Sequence, residues 1–162
     1  MTVVMARIDN RLLHGIIVTQ WAPISNANRV MVIDNEIASD DIAKASMRLA
    51  RPVHMAVSII CEQTALNNFT NGQYNREKVF VIVKKPDIIL HLVNKGIKIH
   101  SLTIGSTIIR KDAVRLSSRV FATKEELEIY QKLAQKGVAI SVQYIPADKP
   151  KDITAKIKDE RL

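Results

Sequence analysis

Apolar and polar positions along this chain alternate between two periods. TVVMARI (2–8), RVMVID (29–34), VHMAVSII (53–60), KVFVIVK (78–84), KIHSLTIG (98–105), RVFA (119–122) and AISVQYI (139–145) are rich in β-branched residues and read as strands. Several are near-continuous apolar runs, the pattern of strands covered on both faces. Between them, IIVTQWAPIS (16–25), SDDIAKASMRLA (39–50), EQTALNNFTN (62–71), PDIILHLVNKG (86–96) and TKEELEIYQKLAQKG (123–137) read as helices. Capping signals agree. Ser39, Asp40 and Asp41 open one helix, Thr123 with Glu126 forms a capping box, Pro86 suits a first helical position, and Gly96 and Gly137 fall where helices should stop. Strand–helix alternation at this spacing predicts an α/β fold. Its expected core is a mainly parallel, open twisted sheet of about six to seven strands with helices on both faces. No linker, repeat or low-complexity segment interrupts it, so residues 1–162 read as one domain, with 148–162 a polar C-terminal helix or frayed tail.

Composition narrows the class. A hydrophobic fraction of 47% with 25% charged residues suits a soluble globular chain, and 4% aromatics leave the core to aliphatic side chains. No apolar run reaches membrane-spanning length, and the N-terminus lacks the basic region and cleavage site of a signal peptide, so a cytoplasmic location is expected. The single cysteine, Cys61, excludes an internal disulfide or a cysteine metal cluster. The net charge of +8 is spread along the chain without a basic run or interleaved aromatics. It reads first as solubility and steering, and no nucleic-acid partner is expected.

In open α/β sheets, sites form where loops leave the carboxyl ends of strands. The loop at 9–15 carries His14, and a helix starting near Gly15 would set free N–H groups beside the imidazole, a setting that favours anions and a neutral ring. Arg11 adds a planar fork suited to a phosphoryl group. Asp9 or Asn10 could fix the ring tautomer, and Gly15 would free space and let the chain turn. Against this stands an ordinary exposed loop histidine. His54 and His100 fall within strand patterns and His91 on a helix, with no metal-ligand spacing, so no metal and no cofactor are expected. Cys61, at a strand end, is either a small buried residue or a reactive thiol. Trp21 is spaced with Ile17, Val18 and Ile24 as core or partner contact. The loop 105–118, GSTIIRKDAVR and beyond, could close over an anion but lacks a P-loop pattern.

The run Arg7-Ile8-Asp9-Asn10-Arg11-Leu12-Leu13-His14-Gly15, followed by Trp21, resembles the opening motif of IIB components of the mannose/fructose/sorbose class of the bacterial phosphoenolpyruvate-dependent sugar phosphotransferase system (PTS). The likeness continues through VIDNEIASDD (32–41), the KPDIILHLVNKGIKIHSLTIG segment and LAQKGVAISVQYIPADKP, and so spans nearly the whole chain. It implies a phosphotransferase in which His14 accepts phosphoryl from a phosphohistidine on a IIA partner. His14 would then pass it to sugar held by membrane-embedded IIC and IID components. Arg11 matches the arginine that contacts the phosphoryl group, and Asp9 another loop residue. The chain departs from the family pattern at Ile16, where glutamine is usual, and at Thr103-Ile104-Gly105-Ser106-Thr107, where Asn-Val-Gly-Gly-Met is usual. Gly105, Ser106 and Thr107 are therefore a second candidate phosphate-site loop, with hydroxyls in place of a backbone glycine. The sugar expectation leans to an N-acetylated amino sugar such as N-acetylgalactosamine. Two rival readings stay open, a phosphocysteine carrier on Cys61 and a basic non-catalytic α/β module binding nucleic acid or protein.

Overall fold

The computed structural model describes residues 2–159. Seven strands form one sheet in the order β3-β2-β4-β1-β5-β8-β9, with β1 Val3–Asp9, β2 Arg29–Ile33, β3 Ala56–Ile60, β4 Val79–Val83, β5 Ser101–Ser106, β8 Ala139–Val142 and β9 Lys151–Asp152. Every pairing is parallel except the edge pair β8–β9. The α/β expectation is met. The all-buried β4, VFVIV, lies inside the sheet between β2 and β1, where both its faces are covered and it needs no polar position to offer water.

Alternation along the strands divides the core in two. Val30, Val32, Phe80 and Ile82 face a layer with Leu12, Leu13, Ile17 and Trp21, and Met47 packs on the same side. Met31, Ile33, Val81, Val83, Ala6 and Ile8 face the other way, toward α4 (Glu62–Thr70), α5 (Pro86–Asn94), α6 (Lys124–Gln135) and α7 (Thr154–Lys158). Gly96 and Gly137 stop α5 and α6 at φ +88 and +91, and the following residue donates five residues back in each case (Ile97 N to Leu92 O, Val138 N to Leu133 O). Thr123 caps α6 by accepting from Glu126 N.

Several boundaries differ from the sequence reading. The 39–50 helix is present as α3 (Asp41–Arg48), capped by Asp40, and a short helix the sequence reading did not give, α2 (Asn35–Ala38), capped by Asp34, precedes it. Two capping aspartates six residues apart each start a segment of their own. RVFA (119–122) does contain a strand, but not one of the main sheet. Its Phe121–Ala122 (β7) pairs antiparallel with Val114–Arg115 (β6) in a separate two-stranded sheet within the long connection between β5 and α6. His54 lies in a turn at φ +62 after Pro52, and His100 precedes β5, so neither is a strand residue. The predicted strand at 139–145 ends at Val142, leaving Tyr144 in the loop beyond. The polar tail holds β9 and α7, and its residues 160–162 lie outside the described residues.

The connection leaving β1 crosses to one face of the sheet, and the connection leaving β5 crosses to the other. Because β1 and β5 are neighbours, a crevice opens between their carboxyl ends.

Candidate functional site

The crevice is lined by the β1 loop. Asp9 ends β1, Asn10 N donates to Ser106 O, Arg11 N donates to Asp9 Oδ1 at 3.0 Å, and Leu12 N returns to Asp9 O. Leu12 then takes φ +57. A left-handed backbone costs a branched side chain about 1–2 kcal/mol. Burying Leu12 and Leu13 beside Ile17 and Trp21 returns roughly 1.5–3 kcal/mol each, so the two leucines hold the loop in this shape. His14 follows directly and is thereby fixed, only 8% exposed rather than a free loop residue. Its carbonyl accepts Val18 N, which starts the helix at Gly15 as expected. Gly15 itself is exposed, its φ is not positive, and a Cβ there would meet nothing within 4 Å. The turn expected of Gly15 is made by Leu12.

Nε2 of His14 lies 3.1 Å from Asp9 Oδ1, a close contact that falls short of an aligned hydrogen bond. Nδ1 is buried and has no hydrogen-bond partner among the described residues. Burial alone would push the Asp9 carboxyl up. The His14 ring, the Arg11 N–H and the charge of Arg7 outweigh it and hold the carboxyl below its usual range. Arg11 is exposed, and its guanidinium has no partner among the described residues.

Sequence reasoning did not single out Arg7. Met5, Arg7 and Asp9 share one face of β1, so a guanidinium stands in a core position, fully buried. Nε donates to Asp9 Oδ2 at 3.2 Å, Nη1 to the Gln143 carbonyl at 3.0 Å and Nη2 to the Tyr144 carbonyl at 2.8 Å. Its Cζ sits 4.7 Å from the centroid of Trp21, whose Nε1 also donates to Tyr144 O. The helix widens over Ile17–Trp21, ending on this tryptophan. Trp21 is core, as read, whereas Ile24 is exposed. The one available signal was the charged residue at an inward position of an otherwise apolar strand.

The second loop divides its candidates. Ser106 Oγ donates to Asn10 Oδ1 at 2.6 Å and lies 3.3 Å from Asp9 Oδ1, so its hydroxyl braces the β1 loop. Thr107 Oγ1 accepts from Phe121 N at 2.7 Å and anchors the ribbon instead. A Cβ on Gly105 would come within 2.0 Å of Arg7 Nη2.

Cys61 ends the turn after β3, three strand spacings from β1 and so about 14 Å away, at ~4.8 Å each. A contact with Thr64, aided by first-turn N–H groups of α4, pulls its thiol down from the ordinary value. His91 pairs with Glu62 across α5 and α4. Among the described residues no cluster of His, Cys, Asp or Glu could hold a metal ion, and no helix is long and apolar enough to cross a membrane.

Residues 3–162 match the family described as the PTS system sorbose subfamily IIB component. The sorbose-specific EIIB component of Lacticaseibacillus casei is 32% identical over 98% of this chain and 97% of its own length. The mannose-specific EIIAB component of Escherichia coli K12 is 27% identical over 97% of this chain and 50% of its own length, so there the matching part is joined to more sequence in one polypeptide. The crystal structure of the IIBSor domain of the Klebsiella pneumoniae sorbose permease superposes with a TM-score of 0.90 at 28% identity, covering 98% of each chain. The N-acetylgalactosamine-specific IIB component 1 of E. coli does so at 0.84 and 25% identity, covering 93% of this chain and 98% of that one. With its sheet order, its full-length family match and these relatives in agreement, the chain belongs to the sorbose subfamily of PTS IIB components, the phosphoryl-carrying subunits of sugar phosphotransferases.

Proposed function

We propose that this chain carries phosphoryl on Nδ1 of His14, taking it from a IIA phosphohistidine and passing it to sugar bound by membrane IIC and IID components, on the cytoplasmic side. The observation that carries the reading is the asymmetry of the imidazole. Both ring nitrogens are buried without an aligned hydrogen bond among the described residues, but the nearest carboxylate oxygen, Asp9 Oδ1, lies 3.1 Å from Nε2, and the ring shares its loop with the unpaired Arg11 guanidinium.

The tautomer with its proton on Nε2, toward Asp9, leaves a lone pair on Nδ1 for attack on phosphorus. The P–N bond of the donor phosphohistidine breaks as the new P–Nδ1 bond forms, and the donor imidazole leaves with the electron pair. The positive charge that develops on the His14 ring is countered by Asp9. Arg11 and the first-turn N–H groups of Gly15, Ile16 and Ile17, which have no carbonyl partner within the helix, neutralise the phosphoryl oxygens. In the second transfer a sugar hydroxyl attacks phosphorus, the P–Nδ1 pair returns to the ring, and the hydroxyl proton leaves to solvent. Positioning and charge stabilisation suffice for both steps, because a protonated imidazole is already a good leaving group.

Relatives named for sorbose, mannose, fructose and N-acetylgalactosamine lie between 25% and 32% identity, a narrow span that leaves an N-acetylated amino sugar as one arm of a transport test. The test of the carrier is a relay of the general components, a cognate IIA and this protein. We expect an acid-labile, base-stable phospho-form that is lost in His14→Ala. Full signal in His14→Ala, or a form with thiophosphate stability that vanishes in Cys61→Ser, would refute the proposal.

A further inference from the structure

Two arginines of one motif have opposite surroundings. Arg11 is exposed and unpaired, ready for a ligand. Arg7 is wholly buried, and all three of its nitrogens are committed: Nε to Asp9, Nη1 to the carbonyl of Gln143 and Nη2 to that of Tyr144. Trp21 covers its plane, and Gly105 leaves the gap through which it passes, since a Cβ there would overlap the guanidinium at 2.0–2.6 Å. Three of its five N–H donors are taken and the whole side chain is buried, so Arg7 presents no exposed donor to a phosphoryl group. What Arg7 does reach is the carboxylate that faces His14, tied through one rigid fork to the exit of β8 two strands away.

We infer that Arg7, seated by Gly105 and Trp21, is the positioning residue of the phosphoryl site: it locks the Asp9 carboxylate against Nε2 of His14 and so selects Nδ1 as the nitrogen that is phosphorylated. The inference rests on the carrier reading above and adds to it a cause for the choice of nitrogen. The buried guanidinium adds its charge to the His14 ring and the Arg11 N–H, which together hold the buried Asp9 carboxyl low. Its bonds to Gln143 and Tyr144 stop the Asp9 side chain from rotating away from the ring. A lysine keeps the charge but cannot span a carboxylate and two carbonyls at once.

The experiment compares full-length wild type, Arg7→Lys, Gly105→Ala and His14→Ala in the IIA-dependent relay, with folding checked by circular dichroism and the phospho-isomer read by 31P NMR. Gly105→Ala removes no charged group, and the three atoms nearest the Cβ it adds all belong to the Arg7 guanidinium. The expected result is a kcat for phosphoryl acceptance at least 10-fold lower in both variants, KM for phospho-IIA within 2-fold of wild type, and an Nε2-phospho isomer absent from wild type. In an Arg7→Lys background, adding Gly105→Ala should cost less than 2-fold, because the side chain it obstructs is gone. A folded Arg7→Lys or Gly105→Ala protein with wild-type kcat and only the Nδ1 isomer overturns the inference, as does a raised KM at unchanged kcat. A wild-type protein with no phosphohistidine overturns the carrier reading instead, so the two failures are distinct.

Discussion

Asp9→Asn isolates the buried charge pair beneath the imidazole. The substitution keeps the shape and leaves an amide oxygen to accept Arg11 N–H, but it removes the counter-charge 3.2 Å from Arg7 Nε, where both side chains are fully buried. At that distance two unit charges attract by about 5 kcal/mol at an effective dielectric of 20. Breaking a buried pair by removing one partner costs about 3–5 kcal/mol, because the remaining charge stays buried. Arg7 retains the carbonyls of Gln143 and Tyr144 and the face of Trp21, which places the loss at the lower end, ~3 kcal/mol. For a chain of this size that is a fall in Tm on the order of 10 °C. Urea unfolding followed by circular dichroism measures it at 25 °C across pH. Asp9 has a folded pKa below its unfolded value of about 3.9, so its contribution is present in full above that value and is lost as pH falls through the folded pKa. The gap between wild type and Asp9→Asn should therefore be flat from pH 8 to about 5 and close below about 4. Removing both charges in Arg7→Met/Asp9→Asn should cost less than the sum of the single variants. A gap under ~1 kcal/mol at pH 7, or one that widens in acid, would show that the pair does not carry this part of the fold.

Arg11→Ala should slow His14 phosphorylation about 10- to 100-fold, the worth of one charge-assisted contact, with Tm unchanged because the side chain touches nothing among the described residues; a shifted Tm would mean the guanidinium has a structural partner. Cys61→Ser should leave the amount and acid lability of the phospho-form as in wild type, since the thiol follows β3, three strand spacings from the β1 strand whose loop carries His14. Thr123→Ala removes the side-chain acceptor of Glu126 N–H and should cost about 1 kcal/mol by urea titration, with no change in phosphoryl transfer.

Much of the architecture was legible along the chain because the forces that set it are local or periodic. Continuous apolar runs at β1 to β5 and β8 can satisfy both faces only inside a covered sheet, and Thr123, Pro86, Gly96 and Gly137 punctuate helices through their own side chains or φ angles. The histidine in the 9–15 loop was visible for the same reason: a loop between a buried strand and a helix lies at a carboxyl edge. What the chain alone left open depends on residues far apart in sequence. RVFA has the composition of a strand, yet it pairs with Val114–Arg115 because the long connection after β5 folds back on itself before reaching the sheet. Arg7 looked like a polar break in an apolar strand. Only the carbonyls of Gln143 and Tyr144, the indole of Trp21 and the bare Cα of Gly105, brought together by the β1–β5–β8 order, make a buried cation affordable there. The sequence by itself determined the layers and the loop that holds His14. Tertiary structure decided which nitrogen of that histidine faces Asp9, because the carboxylate and the arginine bound to it are fixed from across the sheet.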